Sequence, residues 1–192
     1  MILFVDETES KSLFIVAGML VESRQIVESE FRQFKKKASK LILPSKVKAN
    51  LFKEFKSTLM DSDFTKLKKE LLFHVMRCNP VIMYCCLRKK EKKFCQMEKE
   101  STYLKMISAV AHQIVEPTVL LFDSFGITRF EERIVRKTAS VGIESKPVKS
   151  ETEKGIIMVD NVCSVLRMNE EGRDGKELFQ TISTATKKLT WY

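Results

Sequence analysis

The strongest constraint on the fold stands at the start of the chain. "ILFVDETES" (residues 2–10) and "SLFIVAGMLV" (12–21) are two apolar runs separated by a tight polar turn. Short apolar runs rich in Val, Ile and Phe and bounded by polar turn residues read as buried strands, and two in succession predict an antiparallel hairpin. The first run, Ile2 to Val5, ends on Asp6 and Glu7, with Glu9 close behind. Burying a strand and ending it on carboxylates costs free energy unless those groups reach water or meet positive charge. They therefore lie in a solvated turn or hold a cation.

From Ser23 the period changes. Ile26, Val27, Phe31, Phe34, Ala38 and Leu41 recur at close to a helical spacing until Pro44 interrupts the pattern. Two more helices are expected near 49–60 and 63–77. A third strand is expected at "PVIMYCCLR" (80–88), a helix at 98–116 stopped by Pro117, and a fourth strand at "TVLLFDSFG" (118–126). A helix near 128–139, a fifth strand at 141–149, a mostly apolar helix at 154–168 and a last helix near 174–188 complete the chain. A hairpin followed by alternating strands and helices predicts an α/β fold: a mixed, mostly parallel sheet of about five strands flanked by helices. With 192 residues, 44% hydrophobic, six Gly and no low-complexity tract, the expected organisation is a single domain over 1–192. A basic helical insertion occupies about 23–77.

The five cysteines, Cys78, Cys85, Cys86, Cys95 and Cys163, show no paired spacing and are odd in number, as expected of reduced thiols in a cytoplasmic protein. Buried small hydrophobes explain them better than a zinc site built with His74. No basic segment precedes the first apolar run, which argues against a signal peptide. No apolar stretch approaches the roughly 20 residues that span a bilayer, so no membrane partner is expected.

Three aspartates follow apolar runs: Asp6 after Ile2–Val5, Asp123 after Val119–Phe122, and Asp160 after Ile156–Val159. Each suits a turn or helix cap, because Asp favours those places. If the strands ending at Asp6 and Asp123 are parallel neighbours, however, both carboxylates meet at one end of the sheet, where open α/β sheets bind ligands. At about 100° per residue Asp160 falls on the margin of its helix's apolar arc, beside Ile156 and Cys163, and is directed toward the same edge. Adjacent carboxylates repel, and Mg²⁺ or Mn²⁺ relieves that repulsion while keeping positions open for water and phosphate oxygens.

The stretches "FVDETES…FIVAGMLV", "LLFDS" and "SETEKGIIMVDNVCSVLR" resemble an uncharacterised family, domain-of-unknown-function family thirty-eight hundred. The resemblance covers nearly the whole chain and implies a ribonuclease-H-like fold. It further implies that Asp6, Asp123 and Asp160 form a metal-binding carboxylate cluster, with Glu7 as a weaker fourth member. The chain departs from the pattern at Thr8 (usually Ser), Val159 (usually Ala) and Ile157 (often Gln). In "LPSKVK" the acidic residue that often precedes a lysine is missing, leaving Lys46 and Lys48.

The chain carries a formal net charge of +9. Residues 32–56 hold nine basic residues against the single acid Glu54, and Arg88, Lys89, Lys90, Lys92 and Lys93 form a second cluster. Such clusters suit nucleic-acid phosphates, although lysines commonly line solvated helix faces. Phe31, Phe34, Phe52 and Phe55 have core spacing rather than that of base-stacking groups. No P-loop, dinucleotide fingerprint or Ser-His-Asp order is present. A phosphatase of the haloacid dehalogenase type needs a second Asp where Thr8 stands. The sequence therefore predicts a Mg²⁺- or Mn²⁺-dependent nuclease or phosphodiesterase acting on RNA or DNA. The alternative is a catalytically inactive nucleic-acid-binding or protein-interaction module on the same fold.

Overall fold

The computed structural model describes residues 1–41, 45, 65–90, 94–116, 118–173 and 176–190. The expected helix at 49–60, Lys46, Lys48, Lys92 and Lys93 lie outside the described residues, as do Phe52 and Phe55.

Strands β1 (Ile2–Glu9) and β2 (Leu13–Val21) form the expected hairpin, in register from Ile2 opposite Val21 to Glu9 opposite Phe14. The Ser10 hydroxyl accepts from the Leu13 amide (3.0 Å) and closes the turn. Helix α1 (Arg24–Ala38) begins at Ser23, whose side chain accepts from the Ile26 amide, and ends on Lys35, Lys36 and Lys37, which suit the negative end of the helix dipole. There follow α2 (Thr65–Arg77), β3 (Val81–Arg88), α3 (Gln96–Ala111), β4 (Val119–Asp123), α4 (Thr128–Ala139), β5 (Glu144–Val148), α5 (Lys154–Glu170) and α6 (Lys176–Ile182).

Among the described residues the sheet has six strands, in the order β5-β4-β1-β2-β3-β6. The sixth, β6 (Thr186–Lys188), lies where the last helix was expected to continue. That helix stops at Ile182, passes through a 3₁₀ turn at Ser183–Ala185 and pairs in parallel with β3, Ile82 opposite Thr186. Thr-Lys-Lys carries no strand signal of its own; it is recruited by the open edge of β3, and the Leu189 amide donates to the Tyr84 carbonyl (2.8 Å) just beyond it. Helix α3 also ends early. Its apolar period runs on through Ile114 and Val115, but Val115 is 96% exposed, so continued helix there has no core to bury against.

Two apolar layers flank the sheet. On one face Phe4, Ile15, Ala17 and Leu121 pack with α1, α2, α5 and α6; on the other Leu3, Val5, Val16, Leu120 and Phe122 pack with α3 and α4. Helix α5 rests on β1 and β2 and is covered by α1, α2 and α6, so it is apolar around most of its circumference. Its Gly155 lies so close to Phe4 that a Cβ there would fall 2.3 Å from the ring. A buried ionic link joins α1 to α2: His74 Nδ1 lies 2.7 Å and Arg77 Nε 3.1 Å from Glu30 Oε2. Cys78, Cys85 and Cys163 are buried in these layers, and all five thiols are free. Among the described residues no helix is long and apolar enough to cross a membrane.

Candidate functional site

β1 and β4 are parallel neighbours, registered from Ile2 beside Val119 to Val5 beside Phe122. One step further sets Asp6 alongside Asp123 at the carboxyl end of both strands. Alternation along the strands puts both on the sheet face that carries α5, since Phe4 and Leu121 point there. Asp160 stands on α5, the helix that packs over β1 on that face. Asp6 is buried, while Asp123 and Asp160 are half-buried.

Burial, followed by the charges of Glu7, Asp160 and Asp123, pushes the Asp6 carboxyl well above the usual carboxylate range. The Glu7 amide, donating to Asp6 Oδ1 at 2.8 Å, acts the other way. Cys163, one turn beyond Asp160 on α5, donates its S–H to the Asp6 carbonyl (3.4 Å) and holds the helix against the strand.

Asp123 is tethered by backbone. Its Oδ1 accepts from the amides of Ser124 (3.1 Å) and Ser150 (3.2 Å), which ties the end of β4 to the loop after β5. The next turn is held by Glu131 of α4, whose Oε1 accepts from the Ser124 hydroxyl (2.7 Å) and the amides of Phe125 (2.8 Å) and Gly126 (3.0 Å). Gly126 has φ +67°, the left-handed conformation that glycine tolerates best. Asp123, Ser124, Lys149 and Ser150 line an open cleft of about 410 Å³ at the end of β4.

Glu7 projects to the opposite face, toward α3. Lys99 Nζ pairs with Glu7 Oε1 at 2.9 Å, and Tyr103 follows one turn later on the same helix face. On the α5 side, buried Lys68 of α2 donates to the Ser164 hydroxyl (2.8 Å). Burial draws its ammonium down to about 8, against the opposing pull of Asp160. Arg167 Nη1 donates to the Thr8 hydroxyl at 3.2 Å.

Lys68, Lys99, Tyr103 and Arg167 were not among the residues expected from sequence. Lys68 did carry a signal: it stands in phase with Leu71, Leu72 and Val75 on the buried stripe of α2. The basic cluster after β3 divides. Arg88 is exposed, with its guanidinium on the Glu170 carbonyl (3.2 Å), and Lys90 is exposed. Lys89 does not face outward as a phosphate ligand must; its ammonium is buried, pairs with Glu9 and lies 4.8 Å from the Phe94 ring centre. An acceptor at the end of β1 and an aromatic face together draw it inward.

The donor set suits a hard divalent cation: carboxylates from β1, β4 and α5, whose mutual repulsion a cation would relieve. The Tyr103 hydroxyl nearby is a buried polar atom with no hydrogen-bond partner among the described residues. Among the described residues no three His, Cys, Asp or Glu side chains are already gathered into a group that could hold a metal ion.

The sequence matches no family model, and no curated protein is significantly similar to it. Among solved structures, the chain is similar to the ribonuclease HII of a PCNA:RNase HII complex from Archaeoglobus fulgidus. The TM-score is 0.50 at 14% identity, covering 93% of this chain and 77% of that one. The likeness shows the fold class: the chain is an α/β protein with a ribonuclease-H-like fold.

Proposed function

We propose that this protein is a divalent-metal-dependent nuclease or phosphodiesterase acting on nucleic acid. Asp6, Asp123 and Asp160 would hold Mg²⁺ or Mn²⁺, while Glu7, on the opposite face and paired with Lys99, stands outside that set. The observation that carries the reading is the parallel register that sets Asp6 alongside Asp123 at the carboxyl end of β1 and β4, with the charge of Asp160 on α5 also acting on Asp6. Burying Asp6 beside acidic neighbours costs free energy that a bound cation would offset. A bound cation would supply activation of a water and stabilisation of the leaving oxygen of a phosphodiester.

The chain's own groups have distinct parts in this reading. Asp123, fixed by two backbone amides, sets the geometry at the cleft. Lys149, exposed on the cleft wall, and Arg88 and Lys90 at the sheet edge offer positive charge to a nucleic-acid backbone. Lys68 places a buried positive charge behind Asp160. The net charge of +9 favours a polyanionic substrate over a small neutral one. The ribonuclease-H-like fold is compatible with the reading, as is the first-strand motif shared with domain-of-unknown-function family thirty-eight hundred, in which we place the chain as part of this proposal.

One observation favours a second reading, a nucleic-acid-binding or protein-interaction module without catalysis: the absence of a ready-made metal group among the described residues. Calorimetry with Mn²⁺ and Mg²⁺ on the wild type and Asp123→Asn, followed by cleavage assays on labelled single-stranded, double-stranded and hybrid RNA and DNA, separates the two. Saturable binding and metal-dependent cleavage, both lost in D123N, are expected. Intact protein that cleaves nothing in the panel at saturating Mn²⁺ refutes catalysis and leaves the binding module.

A further inference from the structure

Helices α1 and α2 lie side by side and antiparallel, since Glu30 meets His74 and Arg77 while Lys37 pairs with Glu70 at 2.7 Å. On α2 the residues Lys66, Lys69, Phe73 and Arg77 recur at helical spacing, and all four are exposed. Lys36 and, one turn on, Lys40 are exposed on the α1 side. Lys36, Lys40 and Lys66 make no ion pair among the described residues, whereas Lys37 and Lys69 are paired with Glu70 and Glu177. Within this basic face stands Phe73, 47% exposed. Among the described residues it is the one large apolar side chain exposed on either helix. Its ring sits edge-on to the buried His74 ring, with centroids 5.7 Å apart and planes at 85°. The Lys37 ammonium and the Arg77 guanidinium lie 5.3 and 5.9 Å from its centre. Both cations are attracted to the ring's face and keep it at the surface.

We propose that the outer face of α1 and α2 binds single-stranded nucleic acid, with a base stacked on Phe73 and phosphates held by Lys36, Lys40 and Lys66. The inference goes beyond the metal reading and needs no cation; it holds for a nuclease and for a module without catalysis. An exposed aromatic ring among lysines is how proteins bind single strands without reading their sequence, since every base has a face to stack. A base that stacks on Phe73 takes the place of a cation over the ring, and that cation moves onto the adjoining phosphate. A duplex keeps its bases stacked on one another and has no free face to offer, so it gains only the phosphate contacts. A membrane surface fits less well. Insertion needs a broad apolar helix face, and here a lone ring stands among cations.

The test is fluorescence anisotropy in chelator, with labelled oligothymidylate, oligouridylate and a duplex of equal length, repeated over a range of salt. Phe73→Leu keeps an apolar side chain but removes the stacking ring, and should weaken single-strand binding about tenfold while leaving duplex binding unchanged. Phe73→Tyr keeps the ring and should bind as wild type does. Replacing Lys36, Lys40 and Lys66 together by Gln should lower the slope of log affinity against log salt by about two, at roughly 0.7 per phosphate contact. The same loss of charge on α3 and α4, through Lys105→Gln, Arg129→Gln and Lys137→Gln, should leave the slope unchanged. Equal single-strand affinity in F73L and wild type overturns the inference, as does a loss shared by F73Y. Equal slopes in the two triple variants also overturn it. So does a wild type that binds duplex as tightly as single strands, or that binds anionic phosphatidylserine vesicles and no oligonucleotide. Because chelator is present throughout, none of these outcomes depends on the carboxylate site, which the Mn²⁺ calorimetry tests separately.

Discussion

Replacing Gly155 by alanine tests whether the close seating of α5 on β1 builds the carboxylate site. An ideal Cβ at this position falls 2.3 Å from Cε1 and 2.4 Å from Cδ1 and Cζ of Phe4, where carbon atoms ordinarily pack at about 3.5–4.0 Å. Phe4 is fully buried between β2 and the helix layer, so the ring has no free volume to enter. The helix must withdraw by more than an ångström, or the ring must leave its rotamer. Overpacking of this kind costs about 2 kcal/mol and the better helix propensity of Ala returns at most about 1 kcal/mol, leaving about 1–2 kcal/mol net. At roughly 2–4 °C per kcal/mol for a chain of this length, G155A should melt about 2–8 °C below wild type in chelator. Gly155 also stands at the start of the helix that carries Asp160, and Phe4 lies two residues before Asp6, so Mn²⁺ affinity should fall in parallel. Adding Phe4→Leu, which frees space at the contact, should recover part of both losses. Thermal melts and calorimetry on the four proteins of this cycle measure the coupling. G155A melting at or above the wild-type temperature would refute the reasoning, because the contact would then be absorbed at no cost.

The Lys68 ammonium is drawn by burial from 10.5 to about 8, so between those values the unfolded chain binds a proton that the native state does not. Urea stability should therefore rise from pH 8 to 10.5 by roughly 3 kcal/mol more in wild type than in Lys68→Met; parallel pH profiles would refute it. Glu131→Ala removes the acceptor shared by Ser124, Phe125 and Gly126 and should cost about 1–2 kcal/mol. The freed turn should also exchange its amide hydrogens faster while α4 stays protected, which amide exchange measures residue by residue.

Much of the architecture is written in local pattern. The runs at Ile2–Val5 and Val119–Phe122 are continuous rather than alternating because both strands lie inside a sheet covered on both faces. Thr128–Ala139 has the bounds its period predicts, since one face packs on β5 and the other meets water. Where a segment had no burial pattern of its own, local reading failed. Thr186–Lys188 became a strand only because β3 offered an open edge, and the period through Val115 predicted helix where no core receives it. Lys89 read as an outward cation because nothing near it in sequence announces Glu9 and Phe94 as its partners.

The candidate site divides along the same line. Asp6, Asp123 and Asp160 stood out as carboxylates ending apolar runs, a property of neighbouring residues alone. Their relative placement depends on β1 pairing in parallel with β4 and on α5 seating on β1 with Gly155 against Phe4, contacts between segments far apart in the chain. Nothing local marked Tyr103, and only the packing of α3 against the sheet and α4 buries its ring between Phe125 and Phe130. Hydrophobic period and turn chemistry act over a few residues, so the sequence by itself determined the elements and the acidic candidates. Burial and Coulomb energy depend on distances between elements, so only the tertiary structure decided which charges meet and which lysines turn inward.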